Sequence, residues 1–324
     1  MTDLHRVVVL AGGLDFEREV SLWSGRRIAE QLRAIGVDAV VLDVDAQLLP
    51  TLAADAPDAV FIALHGASGE DGAIRGVLDL LGVPYAGAGP DACRIAWDKP
   101  LAKAAMRGAG VASPVDVVLP QTTFRELGAA PLVARIIADF GLPLMVKPAS
   151  GGSAMGANVV RTAEALPAAL MQCFSYGDTA LVERFIEGVE VAVSVVDTGD
   201  GPVALPAVEI VPVRGVYDYS ARYTPGETDY YTPARLDATA SAAVAAAALT
   251  AHTVLSLRDL SRTDLIVDRA GVAHFLEVNV SPGLTETSLF PMAVQAAGYE
   301  MGTLVRDLLH VAVQRSRGAT PTAS

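Results

Sequence analysis

The stretch RVVVLAGG, residues 6–13, restricts the fold more than any other, because an apolar run of strand length empties directly into two glycines and then a helical pattern. A short, unalternating apolar run suits a strand buried on both faces, the habit of parallel sheets. The pattern recurs. A helix is expected over about residues 24–35, stopped by Gly36, with further strands at 38–42 and 59–64, the second ending in His65-Gly66. Strands and helices in alternation predict a parallel sheet with helices on its faces. Ligands of such sheets lie beyond the strand C-termini, where Gly12-Gly13 and His65-Gly66 both fall.

After Pro84-Tyr85 the pattern changes. Helices are expected at 98–108 and 124–140, flanking a strand at 115–119, and a strand at 180–185 follows a further helix. From Glu190 onward β pattern dominates, interrupted by a polar, aromatic loop at 214–232, and strands at 264–267 and 273–278 precede a closing helical segment. The Ala-rich run 238–249 reads as one helix, too short to span a bilayer, and residues after Arg315 read as a disordered tail. At 324 residues the chain exceeds one small core, so two or three packed units are expected.

A formal charge of −13 leaves no basic stripe for nucleic acid and disfavours an anionic membrane surface. Cys93 and Cys173 fit no metal spacing and read as reduced, partly buried thiols. The start MTDLHRVVVLAGG lacks a basic region and a long apolar run, so a cytoplasmic location is expected.

Chemistry concentrates in three stretches. In SRTDLIVDRAGVAHFLEVNVSPG, Glu277 and Asn279 stand two apart on one strand and so share a face. Asp264 joins them if a turn at 268–271 makes a hairpin. Oxygen donors of this kind suit Mg²⁺, which keeps places for water and phosphate; the alternative is a sheet carrying exposed acids. In LMVKPASGGSAMGANVV, Lys147 ends a strand and Gly151, Gly152, Ser153 and Gly156 permit close backbone approach to an anion without a helix behind them. A flexible hairpin with a snorkelling lysine is the plainer reading. In ALVERFIEGVE, Glu183, Ile186 and Glu190 surround a strand end that can read a nucleotide, or form an ordinary amphipathic edge.

Taken in order, AGGLDFEREVSLWSG, ALHGASGEDGAIRGVLDLLGVPYAGAG, Asp98-Lys99, VKPASGGSAMG, VERFIEGVE, YDYSARYTPGETDYYTPA, LSRTDLIVD and FLEVNVSPGLTETSLFPMA resemble the D-alanine–D-alanine ligases of the ATP-grasp superfamily, from Arg6 to about Leu309. The resemblance implies an α/β, three-domain ATP-grasp fold: an N-terminal parallel-sheet substrate domain (1–86), a central domain (87–186) and a C-terminal catalytic domain (187–324). It implies ATP-dependent joining of two D-alanines through an acyl phosphate for peptidoglycan precursor synthesis, with two Mg²⁺ or Mn²⁺ ions and a homodimer. No nucleic-acid or membrane partner is expected.

The same resemblance gives the residues roles. Glu17 anchors the ammonium of the first D-alanine, with His65 near its carboxylate, and Arg262 stabilises the acyl phosphate and tetrahedral intermediate. Asp264, Glu277 and Asn279 hold the metal ions. Lys99, Lys147 and Arg222 face phosphate, while Glu183, Ile186 and Glu190 position adenosine. Ser288 and Leu289 receive the second substrate, and Ser153 and Tyr223 meet Glu17 to close the site. Four departures stand out: Arg222 and Arg184 occupy positions usually held by lysine, Ala154 replaces a common serine, and Leu14-Asp15-Phe16 is bulkier than usual. Two alternatives remain. One is a sister ligase joining D-alanine to another D-amino or hydroxy acid; the other is a nucleotide-binding regulator without catalysis.

Overall fold

The structure, a computed structural model, describes residues 4–224 and 226–318. The side chains of Ser220 and Tyr223 lie outside the described residues, as does the tail 319–324. Three sheets organise the described residues.

The first is parallel, in the order β2 (Asp38–Leu42), β1 (Arg6–Leu10), β3 (Ala59–Ile62). Alternate residues of β1 face opposite layers, as a period of two requires. Val7 and Val9 pack with Ile28 and Leu32 of α1 (Arg18–Ala34). Val8 and Leu10 pack with Leu48 and Leu52 of α2 (Leu48–Ala54) and with Ile74 and Leu78 of α4 (Ala73–Leu81), which follows the single turn α3 (Ala67–Glu70). α1 begins at Arg18, earlier than expected: its N-cap is Glu17, whose side chain makes no capping bond and turns to the site instead.

Two helices lead onward, α5 (Pro90–Trp97) and α6 (Lys99–Gly108). The Asp98 carboxylate caps α6 by accepting from the Leu101 amide at 2.9 Å, worth about 1 kcal/mol. Its buried stripe is Lys99, Ala102, Lys103 and Met106, spaced as one helical face but carrying two lysines.

The second sheet has the order β4 (Asp116–Pro120), β7 (Thr179–Arg184), β5 (Leu144–Pro148), β6 (Asn158–Val160), all antiparallel. One face buries Leu144, Val146, Ala180 and Val182 against α7 (Gln121–Leu127), α8 (Ala129–Phe140) and α9 (Leu166–Cys173). The helix expected over 124–140 is two helices, because Gly128 at φ 85° breaks it. The opposite face presents Asp116, Met145, Lys147 and Glu183, and the β5–β6 loop is the glycine-rich stretch.

The third sheet runs β11 (Thr228–Tyr231), β10 (Val208–Pro212), β8 (Gly188–Val196), β12 (Leu260–Asp268), β13 (Ala273–Asn279), with β9 (Val203–Ala204) beside β8. The loop expected at 214–232 contains β11 and the short α10 (Tyr219–Tyr223). α11 (Ala238–Val254) covers one face, its small Ala247, Ala248 and Ala251 lying close to Val191, Val193 and Leu265 or the neighbouring core. After α12 (Leu289–Ala296), α13 (Met301–Gly318) returns to the first sheet and packs on α1. A Cβ on Gly302 would sit 2.6 Å from the Gln31 carbonyl, so only glycine allows that approach. The helix extends three residues past Arg315, where a disordered tail was expected. Both cysteines are fully buried free thiols, not partly buried, and burial pushes Cys93 up to about 11 and Cys173 to about 12. Among the described residues no helix is long and apolar enough to cross a membrane.

Candidate active site

Among the described residues, two cavities that share a wall open between the sheets, and a third lies outside them beside Asp15, Phe16 and Tyr176. The larger of the two, of about 560 Å³, lies between the second and third sheets and is walled by Lys147, Glu183, Ile186, Glu190 and Asp264. The smaller, of about 70 Å³, lies against the first sheet and is walled by Glu17, His65, Ser153, Arg262, Asn279, Ser288 and Leu289. Lys99, Gly151, Gly152, Tyr217, Arg222 and Glu277 line both. Every residue to which the resemblance gives a role in substrate, nucleotide or metal binding or in catalysis therefore borders one cavity or the other, except Tyr223, whose side chain lies outside the described residues.

The floor is the cleft face of β12 and β13. These strands form the expected hairpin, closed by Gly271 N–H donating to the Asp268 carbonyl at 3.0 Å. Asp264 stands directly opposite Glu277, and Arg262 opposite Asn279. A register shift after Asp264 leaves Leu276 unpaired, so Leu276 and Glu277 both reach the cleft. Burial alone would raise the Glu277 pKa, but Lys99, Lys147, Arg222 and Arg262 together pull it down to about 2. Lys99 Nζ lies 3.4 Å from Glu277. Arg262 grips Asp264 with two bonds, Nε to Oδ1 at 2.7 Å and Nη2 to Oδ2 at 2.8 Å.

Whether Mg²⁺ suits this floor depends on its donors. Among the described residues no group of three or more His, Cys, Asp or Glu forms a closed metal cage. Two carboxylates and the Asn279 amide share one face, and Glu277 stays ionised. That set fits Mg²⁺, which takes few protein carboxylates and completes its shell with water and phosphate. Asp264 would then share its oxygens with Arg262, and Asn279 Oδ1, which accepts from Ser281 N–H at 2.7 Å, would share its own.

The glycine loop reaches from the second sheet to the first. Ser153 donates to Glu17 Oε1, and both Ser153 (φ 49°) and Ala154 (φ 55°) hold left-handed backbone at the loop tip. A Cβ on Gly152 would lie 2.6 Å from Glu17 Oε2. Lys99 holds the loop base, donating Nζ to the Gly151 carbonyl at 2.6 Å and its amide to the Ala149 carbonyl at 2.9 Å.

His65 is a fixed, neutral wall. Nδ1–H donates to the Ser281 carbonyl at 3.0 Å, Nε2 pairs with Ser24 Oγ at 3.0 Å, and burial lowers its pKa to about 4. Ser288 stands at the N-cap position of α12 with its hydroxyl bonded to Thr285 instead of the helix, and Ser288 and Leu289 line the smaller cavity. Burial pushes Glu190 up to about 7, with Arg222 opposing.

Sequence reasoning missed three residues. Tyr217 lies at the junction, stacked under Arg222 with the guanidinium 4.4 Å from its ring centre, and bonded to Tyr230 at 3.1 Å. Glu70 lines the smaller cavity, accepts from Gly66 N–H at 3.0 Å, and is pushed up to about 8 by burial and then by Glu17. Lys103 is fully buried behind the larger cavity, ion-paired to Asp116 at 2.7 Å and to Glu183. Its only sequence signal was a lysine on the apolar stripe of α6.

The architecture is an α/β ATP-grasp fold with an N-terminal parallel sheet. Family profiles described as "D-ala D-ala ligase N-terminus" and "D-ala D-ala ligase C-terminus" match residues 50–88 and 106–310. A D-alanine–D-alanine ligase of Desulforudis audaxviator is 40% identical over 315 residues, covering 96% of this chain and 100% of that protein. The crystal structure of the Bacillus anthracis D-alanine–D-alanine ligase superposes with a TM-score of 0.81 at 28% identity, over 98% of this chain and all of that one. Its complex with ATP gives 0.79 at 26% identity, covering 98% and 99%. The chain belongs to the D-alanine–D-alanine ligase family.

Proposed function

We propose that this protein joins two molecules of D-alanine at the expense of ATP, giving D-alanyl-D-alanine, ADP and phosphate for peptidoglycan precursor synthesis. The observation that carries the reading is the meeting of two cavities at Lys99, Arg222, Glu277 and the Gly151-Gly152 backbone. A nucleotide in the larger cavity would bring its terminal phosphate to the junction. An amino acid in the smaller one would bring its carboxylate to the same point, as in-line transfer requires.

In this reading the first D-alanine sets its ammonium on Glu17, and its carboxylate oxygen attacks the γ-phosphorus. The bond to ADP breaks and an acyl phosphate forms. Lys99, Lys147 and Arg222 balance the phosphate charge. Asp264, Glu277 and Asn279 would hold Mg²⁺, which when bound supplies further positive charge to the phosphate oxygens. The second D-alanine rests its carboxylate on the N-terminus of α12 at Ser288 and Leu289. Its amine attacks the acyl carbon, phosphate departs with the C–O bond electrons, and the amine proton passes to the departing phosphate. Arg262, held by Asp264, faces the oxyanion that develops. The Ser153–Glu17 bond keeps the loop across the opening, so water is excluded while the acyl phosphate exists. Glu183, Ile186 and Glu190 would position adenosine on the outer wall.

Each sheet falls within one of the units 1–86, 87–186 and 187–324, which supports that division. A homodimer in the cytoplasm is the arrangement proposed, testable by light scattering and cell fractionation. The acyl phosphate has a direct test. D-alanine with heavy-isotope carboxyl oxygens should deliver one label to the released phosphate; phosphate without label overturns this route.

A further inference from the structure

Asp116 and Glu183 stand directly opposite each other on β4 and β7. Like charges in that relation repel unless a cation separates them. Lys103 of α6 is that cation: fully buried, 2.7 Å from Asp116 and ion-paired with Glu183 Oε1. The second Glu183 oxygen, Oε2, receives Lys147 at 2.9 Å. Lys147 and Glu183 line the larger cavity, whereas Lys103 and Asp116 line none of the cavities described. One carboxylate is thus shared between a lysine enclosed behind the wall and a lysine open to the cleft. Arg107 adds a further cation 3.3 Å from Asp116.

The charges balance without Lys147: Lys103 and Arg107 match Asp116 and Glu183. We propose that Lys103 is a positioning residue that holds the charge of Glu183, so that Lys147 can leave that carboxylate for a nucleotide phosphate. The inference rests on the reading of the larger cavity as the nucleotide site. Burial works to lower the Lys147 pKa, but Glu183 and Glu277 raise it overall, so Lys147 meets the phosphate as a cation. Were Glu183 left bare when Lys147 moved, a buried ionised carboxylate would oppose nucleotide binding. Lys103 removes that opposition from behind. Without it, Lys147 is the only cation paired with Glu183 among the described residues and stays parked there.

The test is steady-state kinetics on the full chain, varying ATP and D-alanine separately in wild type, Lys103→Met, Glu183→Gln and the double variant. Lys103→Met should raise KM for ATP about tenfold while KM for D-alanine stays within about twofold. Adding Glu183→Gln keeps an acceptor oxygen but removes the charge that retains Lys147. The double variant should therefore return to within about threefold of Glu183→Gln alone. Should Lys103→Met fail to fold, Lys103→Met with Asp116→Asn removes both charges behind the wall and should still show the ATP defect. An unchanged KM for ATP in either Lys103 background overturns the proposal. So does an equal rise in both KM values with no rescue by Glu183→Gln, the mark of a purely structural lysine. A wild-type chain that neither binds nor turns over ATP would instead overturn the nucleotide reading itself, and this inference with it.

Discussion

Glu277 is ionised although largely shielded from solvent, because four cations outweigh its lost hydration. Glu277→Gln removes that charge with little change of shape and should lower turnover by about 100-fold or more in a chain that still folds, though with a lower melting temperature because the four cations lose their counter-charge. Near-normal turnover at saturating Mg²⁺ would refute the metal role. Gly152→Ala should push the Glu17 carboxylate aside and raise KM for D-alanine about tenfold, with KM for ATP much less affected, since the added Cβ meets Glu17 and not the outer wall. His65 gives a pH signature. The unfolded chain binds its proton near 6.5, but the folded chain resists until about 4, so this contribution is whole above 6.5 and lost as pH falls toward 4. Glu70 and Glu190 run the other way, so the stability difference between wild type and His65→Gln isolates it, and should shrink by about 3 kcal/mol from pH 6.5 to 4. Denaturant titrations across that range measure it. At this scale the sequence was legible where spacing alone sets direction: Glu277 and Asn279 share a face because strands have a period of two. Lys103 was not, since a helix lysine ordinarily reaches water.

α6 and the glycine loop act as one device. The Asp98 cap starts the helix that carries Lys99 to the loop base and Lys103 to the back of Glu183. Asp98→Ala should cost about 1 kcal/mol in unfolding free energy and also raise KM for ATP, whereas removing a cap on a remote helix such as Asp237 of α11 should affect stability only. Elements with continuous apolar runs, such as β1 and β2, were readable to the residue. α1 hid its start because its N-cap side chain serves the site instead of the helix. The break at Gly128 and the strand within 214–232 were hidden because a glycine in an apolar helical pattern, or a short edge strand in polar sequence, gains its meaning only from neighbours.

Across the molecule, the first and third sheets share one hydrophobic core that joins Val7 and Phe61 to Val196, Leu284 and Leu308. Ser281 fastens the joint, donating Oγ to the Leu64 carbonyl at 2.6 Å while its own carbonyl receives His65. The second sheet has a separate core and meets the others through α6, the glycine loop and the cavity walls. On the proposed reading, a nucleotide would enter between the second and third sheets without opening either core. No local pattern announces the return of α13 to the first sheet, because helix periodicity records which face is buried but not against what. The central claim is that both cavities serve one reaction, and the most direct measurement is product identification with ATP, Mg²⁺ and a panel of D-amino and D-hydroxy acids. D-alanine alone should yield one D-alanyl-D-alanine for each ADP and phosphate released. ATP turnover without dipeptide, or dipeptide formed only from a mixed pair, would contradict it.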